Sequence, residues 1–354
     1  MIKTSFSAKA PAKLIISGEH AIVYGAPAIA VAINQHVVTT VGWGKPSTKK
    51  SLINPLINFN FKNLRYVKSH TLEKLIILKQ QLQDNYVTFL SGHCSIKEVI
   101  RKPFELLQYL VTNLIEKLQL QISGNLEIKV DSDIPIGAGL GSSAACIISC
   151  LRSLAYLFKM NWEPKKFLNI ATDIENLQHG KSSGMDLYTS MFGGCNYFPE
   201  KSNDYFSNIE NLILPNLDFK IVNTGQPLST TGECVSSVKK HFINLDLIKE
   251  FADITFAFKQ ALISNDQIQC IKAMQQNHQL LCRIGVVPDK IRMLIGKIEK
   301  SGGAAKICGA GSIYGENAGI VMVIGDFKEI TKIVTDYKFV LQNVNVDYNG
   351  VTIV

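Results

Sequence analysis

The 354-residue sequence has no CxxC pair, no zinc-ligand spacing, no long uncharged apolar run and only short basic clusters such as Lys49-Lys50 and Lys239-Lys240. Each absence closes off a class. A membrane-spanning helix needs roughly 18 or more consecutive apolar residues, and no such run occurs. The start, Met1-Ile-Lys-Thr-Ser-Phe6, has no apolar stretch leading to a cleavage site, so a soluble cytoplasmic protein is expected. Eight cysteines scattered through a chain too long to need covalent staples read as reduced, partly buried thiols. The lysines form no stripe for nucleic acid, although 37 basic against 29 acidic residues leave a net charge of +8. That excess suits anionic small molecules as well as plain solubility.

With 46% hydrophobic residues the chain can fill the core of one large domain or, more in keeping with its length, two. It carries no internal repeat and no low-complexity tract. The segment from Phe6 to Val41 has short apolar runs of strand length bounded by Gly and Pro, and Lys13, Glu19 and His20 are its only charged residues between Lys9 and His36. Singly, each could be a satisfied charge at a strand end; together they suggest the edge of a site. From about Pro46 to Leu120 the pattern predicts amphipathic helices over 72–82 and 103–120, assigned to scaffolding and a lid.

The stretch from Asp131 to Ala145 is the most informative. Leu126 to Val130 alternates as a half-buried strand, Ala144 to Lys159 has helical spacing, and Gly137, Gly139 and Gly141 lie between them. Strand, glycine loop and helix in this order can turn successive amides toward one anion at a helix N-terminus, with Ser142 as the expected cap. It is not the Walker loop, since no Lys-Ser or Lys-Thr follows the last glycine, nor the dinucleotide fingerprint, whose third glycine would fall at Ser142. A glycine-rich connection packed tightly on a helix remains the plainer reading of the loop alone.

Further on, Glu175 and His179 share a face of a helix that starts near Pro164, and Gly180 to Asp186 forms a polar loop able to return a carboxylate to the same place. No HExxH motif or third ligand supports zinc there; magnesium, which needs only one carboxylate with phosphate oxygens, a hydroxyl and water, fits better. The polar stretch Pro199 to Asp204 reads as lying near a domain boundary. Beyond it come a strand over 217–223, two helices over 245–284, a strand at Ala304–Cys308, a second glycine-bearing loop over 309–319, a strand over 319–325, a helix capped by Asp326 and a last strand region over 339–346. This alternation predicts an α+β fold, helices on a mainly antiparallel sheet.

Three loops at these separations resemble the GHMP kinase superfamily, which contains galactokinase, homoserine kinase, mevalonate kinase and phosphomevalonate kinase. The first motif is Pro11 to His20, the second Pro135 to Ala145, the third Lys306 to Gly311, and the resemblance covers nearly the whole chain. Lys13 with Gly18-Glu-His20, and Glu175 with His179-Gly180 and Ser183-Gly-Met-Asp186, resemble the mevalonate kinase branch most. The resemblance implies a two-domain fold, with residues 1–205 like ribosomal protein S5 domain 2 and 206–354 ferredoxin-like, and ATP in the cleft between them. It implies that Pro135, Gly137, Ala138, Gly139, Leu140, Gly141, Ser142 and Ser143 hold ATP, that Ser143 and Glu175 hold Mg2+, and that Glu19 supports the nucleotide side. Asp186 would be the catalytic carboxylate for the hydroxyl of mevalonate. Lys13 would pair with it, lowering the hydroxyl's pKa or neutralising the transferring group. His20, His179, Gly309 and Ala310 would line the substrate site, His20 near its carboxylate. The implied enzyme is cytoplasmic, acts on small molecules, and is compatible with a homodimer.

Three positions depart from the superfamily's pattern. After Gly309-Ala-Gly311 the usual run of glycines is replaced by Ser312-Ile-Tyr-Gly-Glu-Asn-Ala318. Leu228 stands where an arginine often follows the proline, with Thr230 still placed to approach phosphates, and Ser182 stands where proline is commoner, a change expected to matter little. A sibling kinase with another acceptor, and a catalytically inactive nucleotide-binding regulator, are the competing readings.

Overall fold

The computed structural model describes residues 5–44, 55–200, 206, 208–214 and 217–354; Lys49-Lys50, and Lys201 to Asp204 of the expected break, lie outside them. The chain begins with β1 (Ser5–Ser17), a three-ten turn at Ala21–Tyr24 and β2 (Ala28–Gly44). Then follow β3 (Leu56–Phe61), β4 (Tyr66–Thr71), α1 (Leu72–Leu90), α2 (Glu105–Lys117), β5 (Asn125–Ser132), α3 (Ser142–Leu157), α4 (Pro164–His179) and α5 (Met185–Phe192). Next are β6 (Cys195–Phe198), β7 (Glu210–Leu212), β8 (Lys220–Asn223), α6 (Thr231–Val238), α7 (Leu245–Ile263), α8 (Gln267–Arg283) and α9 (Asp289–Lys300). Strands β9 (Ala304–Cys308) and β10 (Ile320–Ile324), helix α10 (Phe327–Asp336), β11 (Leu341–Asn343) and β12 (Thr352–Ile353) complete it.

Two sheets result. The larger runs β12-β1-β2-β5-β3-β4, with β6 beside β2 and β7 beside β6; the smaller runs β11-β8-β10-β9. Every pairing is antiparallel except β3 with β5. This is the expected α+β arrangement. From Ala10 onward every residue of β1 is buried, which explains why its sequence is a near-continuous apolar run rather than an alternation. Helix α3 lies across β1 and β2, and its Ala144, Ile147, Ile148 and Leu151 enter the main core.

Some expectations need correction. Residues 56–71 form a hairpin, not part of a helical stretch. Leu56-Ile-Asn-Phe-Asn-Phe61 does alternate, but β4 leaves Val67 and Lys68 exposed, so its pattern carries no buried face to read. Helix α1 continues to Leu90, past the expected Leu82, because its last turns expose Val87 and Leu90 instead of ending at a polar stop. Helices α6 and α9 were not expected, and the strand expected over 217–223 covers only Lys220–Asn223.

Buried polar contacts join the two sheets where β1 ends. Ser17 Oγ and Thr255 Oγ1 of α7 are 2.7 Å apart, and Asn277 Nδ2 of α8 donates to Ser17 Oγ at 3.3 Å. Lys306, on β9 and fully buried, donates to Ile15 O at 3.0 Å, to Ile307 O at 2.8 Å and to the Glu19 carboxylate. Among the described residues no helix is long and apolar enough to cross a membrane.

Candidate active site

The glycine loop is clamped from both sides. Lys13 N donates to Leu140 O at 3.0 Å and Ile320 N donates to Ala138 O at 3.1 Å, so β1 and β10 hold it as well as its own helix. Gly137, Gly139 and Gly141 all have left-handed φ, at 72°, 85° and 69°. At Gly139 a Cβ would lie 2.7 Å from Cys308 O, and at Gly141 it would lie 2.9 Å from Lys13 Cγ, so even an alanine has no room. Gly141, not Ser142, is the N-cap of α3. Ser142 is the first helical residue and no side chain caps this end. A left-handed cap is what the tight approach of Lys13 requires, and it leaves the amides of the first turn free for an anion, with the positive end of the helix dipole behind them.

Every residue singled out as a candidate lines one cavity of about 250 Å³. Lys13, Glu19 and His20 come from β1 and the turn after it; Pro135 and Gly137 to Ser143 from the glycine loop; Glu175 and His179 from the last turns of α4. Asp186 sits in the first turn of α5, and Gly309 and Ala310 follow β9. A second arm of about 290 Å³ shares Gly137 to Gly139 and Ala310, and runs outward past Ile96, Lys97 and Ile100.

Lys13 Nζ and Asp186 Oδ2 are 3.1 Å apart, and Nζ also donates to Gly139 O at 3.3 Å. The Lys13 side chain is 4% exposed and that of Asp186 29%, so the carboxylate faces the cavity while its partner is sequestered. Glu175 is buried; burial, then the charge of Asp186, pushes its carboxyl up to about 8, against a hydrogen bond from Ser182 and the charge of Lys13. Burial also lowers the pKa of His179. Two carboxyls close together in a buried place make a site short of positive charge. A divalent cation fits that deficit, and among the described residues no group of three or more His, Cys, Asp or Glu forms a metal cage, so the remaining ligands would come from elsewhere.

His20 Nε2 lies 3.0 Å from Ala310 O, and burial takes its pKa down to about 4 with that bond opposing. A carbonyl only accepts, so Nε2 carries the hydrogen, and the buried Nδ1, without a partner among the described residues, is an acceptor. Glu19 is buried in the cavity wall; burial raises its pKa while Lys306 pulls it down, and its Oε2 has no partner among the described residues.

Sequence reasoning missed Thr231, Gly232 and Val235 of α6, which close the cavity, and Lys306, which holds Glu19. A signal for α6 was present: Thr230-x-x-Glu233 is a capping box, and the Thr230 side chain accepts from Glu233 N while Glu233 accepts from Thr230 N. Thr230 is thus a helix cap that lines the second arm. Two of the three departures explain one another. Ser312 Oγ and Ser229 Oγ are 2.5 Å apart, Ile313 N donates to Ser229 Oγ at 2.9 Å, and Leu228 packs over Gly315, so the atypical loop and the segment before α6 are built as a pair. Ser182 is the third, and its hydroxyl donates to Glu175 Oε2.

Residues 105–194, spanning α2 to the turn after α5, match the family described as GHMP kinases N terminal domain. That segment therefore carries the N-terminal domain of a GHMP kinase. It is 28% identical over 319 residues to the mevalonate kinase of Thermococcus onnurineus, covering 86% of each chain. The fold agrees with that of the Methanococcus jannaschii mevalonate kinase, with a TM-score of 0.76, 20% identity and coverage of 98% and 100% of the two chains. It also agrees with the L. major mevalonate kinase in complex with R-mevalonate, with a TM-score of 0.72, 18% identity and coverage of 98% of each. The chain is accordingly an ATP-dependent phosphotransferase.

Proposed function

We propose that the chain transfers the γ-phosphate of ATP to the primary hydroxyl of (R)-mevalonate, giving 5-phosphomevalonate for isoprenoid synthesis in the cytoplasm. The observation that carries this is the Lys13–Asp186 pair beside the glycine loop, a carboxylate and an ammonium at the one place where phosphate and acceptor can meet. Phosphoryl transfer asks little covalent chemistry of a protein; it needs positioning and neutralised charge. The free amides of Gly137 to Ser143 hold the phosphates, and the second arm, with Ile96 and Ile100, accommodates the nucleoside. Ser143 and Glu175 would hold Mg2+, which when bound supplies the positive charge that the carboxyl pair lacks and steadies the phosphate oxygens.

Asp186 takes the proton of the attacking hydroxyl, and Lys13 holds Asp186 in place and faces the developing charge. His20, neutral and with Nε2 committed to Ala310 O, is poorly suited to a carboxylate. The same reading divides the chain near residue 205 into an N-terminal S5-like domain and a C-terminal ferredoxin-like one.

The acceptor's carboxylate then needs another cation, since Leu228 offers none. Lys181, exposed at the cavity's rim, has no ion-pair partner among the described residues, whereas Lys13 and Lys97 pair with Asp186 and Glu233. Lys181→Met should raise the KM for mevalonate about five- to tenfold, as expected for one partly exposed charged contact, and leave the KM for ATP alone. The function itself is tested by ADP release with Mg-ATP and mevalonate, phosphomevalonate, galactose, homoserine or no acceptor. Turnover with mevalonate alone is expected; turnover only with another acceptor would transfer the same machinery to a sibling reaction.

A further inference from the structure

We propose that Ser182 is a positioning residue that fixes Glu175 for the metal–nucleotide complex, an inference that rests on the function proposed above. Ser182 follows α4 by three residues, and its hydroxyl is committed on both sides. Gly184 N–H donates to Ser182 Oγ at 2.9 Å, so the oxygen serves there as acceptor and its single hydrogen is left for Glu175 Oε2. The Ser182 backbone is held as well, its N–H donating to Asn176 Oδ1 at 2.6 Å. One loop residue is therefore anchored to α4 through Asn176, to the start of α5 through Gly184, and to the buried carboxylate between them.

This arrangement addresses a specific physical difficulty. Glu175 has three rotatable side-chain bonds, it is buried, and the charges acting on it include a second carboxylate, Asp186. Unrestrained, the two would swing apart, and an approaching cation would have to collect them again at a cost in side-chain entropy. The hydroxyl of Ser182 is the one hydrogen-bond donor to the Glu175 carboxylate among the described residues, and it occupies Oε2 alone. Among the described residues Oε1 is left without a donor, a single oxygen for a metal ligand. A proline at 182 supplies neither the hydroxyl nor the N–H, so relatives with proline there must hold the equivalent carboxylate by other means.

The test uses the full-length protein with Mn2+ as probe, in the presence of a non-hydrolysable ATP analogue, and reads free Mn2+ by electron paramagnetic resonance. Removing a supporting partner of a metal ligand typically costs about tenfold or more in metal affinity, and that loss is expected for Ser182→Ala. Ser182→Thr, which keeps the hydroxyl, should restore affinity to within about threefold of wild type. In steady state, Ser182→Ala should need about tenfold more Mg2+ for half-maximal rate, yet recover nearly the full kcat when metal saturates. A kcat that stays low at saturating metal would show instead that the loop carrying Asp186 has shifted, and unchanged Mn2+ affinity would remove the positioning role outright. Wild-type protein that binds no Mn2+ with the nucleotide analogue would overturn the metal assignment on which the inference depends, leaving the Ser182 result unneeded.

Discussion

Asp186→Asn is expected to lower kcat by about 10² to 10⁴ while leaving ATP affinity within about twofold of wild type. The substitution keeps the shape of the side chain at the start of α5 and removes its ability to take a proton. In free energy that is roughly 3–5 kcal/mol of barrier, well above what a rearranged surface contact supplies. It also removes the charge that Lys13 balances, so Lys13, 4% exposed, keeps only the carbonyl of Gly139. Part of the loss therefore comes from an unpaired ammonium that turns toward phosphate. Comparing Asp186→Asn with Lys13→Met and the double variant separates the two: if the carboxylate and ammonium act as one unit, the double variant loses far less than the product of the singles. Removing Asp186's charge should also let the Glu175 carboxyl fall from its raised position, since that charge is the second cause of the rise after burial. A loss of less than tenfold in kcat would take Asp186 out of the base role.

Lys306→Met should have the largest effect on the fold itself. Lys306 and Glu19 are essentially unexposed, and the ammonium also donates to the carbonyls of Ile15 and Ile307. Breaking a buried pair from one side leaves the other charge without compensation, at a cost of about 3–5 kcal/mol, which urea denaturation would measure. The pH dependence gives the sign. Without Lys306, Glu19 folds only as the neutral acid, so its folded pKa rises further above the unfolded value. The folded state then binds a proton that the unfolded state has released, and stability falls as pH rises above the ordinary carboxylate range. The loss should accordingly be larger at pH 8 than at pH 5. Adding Glu19→Gln should recover much of it; if the double variant is no more stable than Lys306→Met, packing around the lysine stem, not charge, accounts for the effect.

How much of this was legible beforehand depended on whether a feature is local. The glycine loop could be read because strand period, three glycines and helical period are consecutive in sequence, and the left-handed φ values at Gly137, Gly139 and Gly141 follow from residue type. The Glu175–His179 face and the cap at Asp326 are equally local. The mistaken cap at Ser142 shows the limit. Serine is the commoner N-cap, but at this site the close approach of Lys13, which lies on another element, selects a glycine one residue earlier. The hairpin at 56–71 was missed because β4 has no buried face to impose a period.

The sequence by itself determined that the chain is an α+β protein with phosphate-binding chemistry, and which residue types would carry it. Those properties depend on composition, on periods of two and 3.6, and on the torsional freedom of glycine, all of which act over a few residues. Only the tertiary structure decided that Lys13 meets Asp186, that Lys306 holds Glu19, that Ser182 holds Glu175 and that His20 turns Nε2 to Ala310 O. Each of these joins groups on different elements, and a hydrogen bond or ion pair depends on a few tenths of an ångström that only the packing of those elements sets.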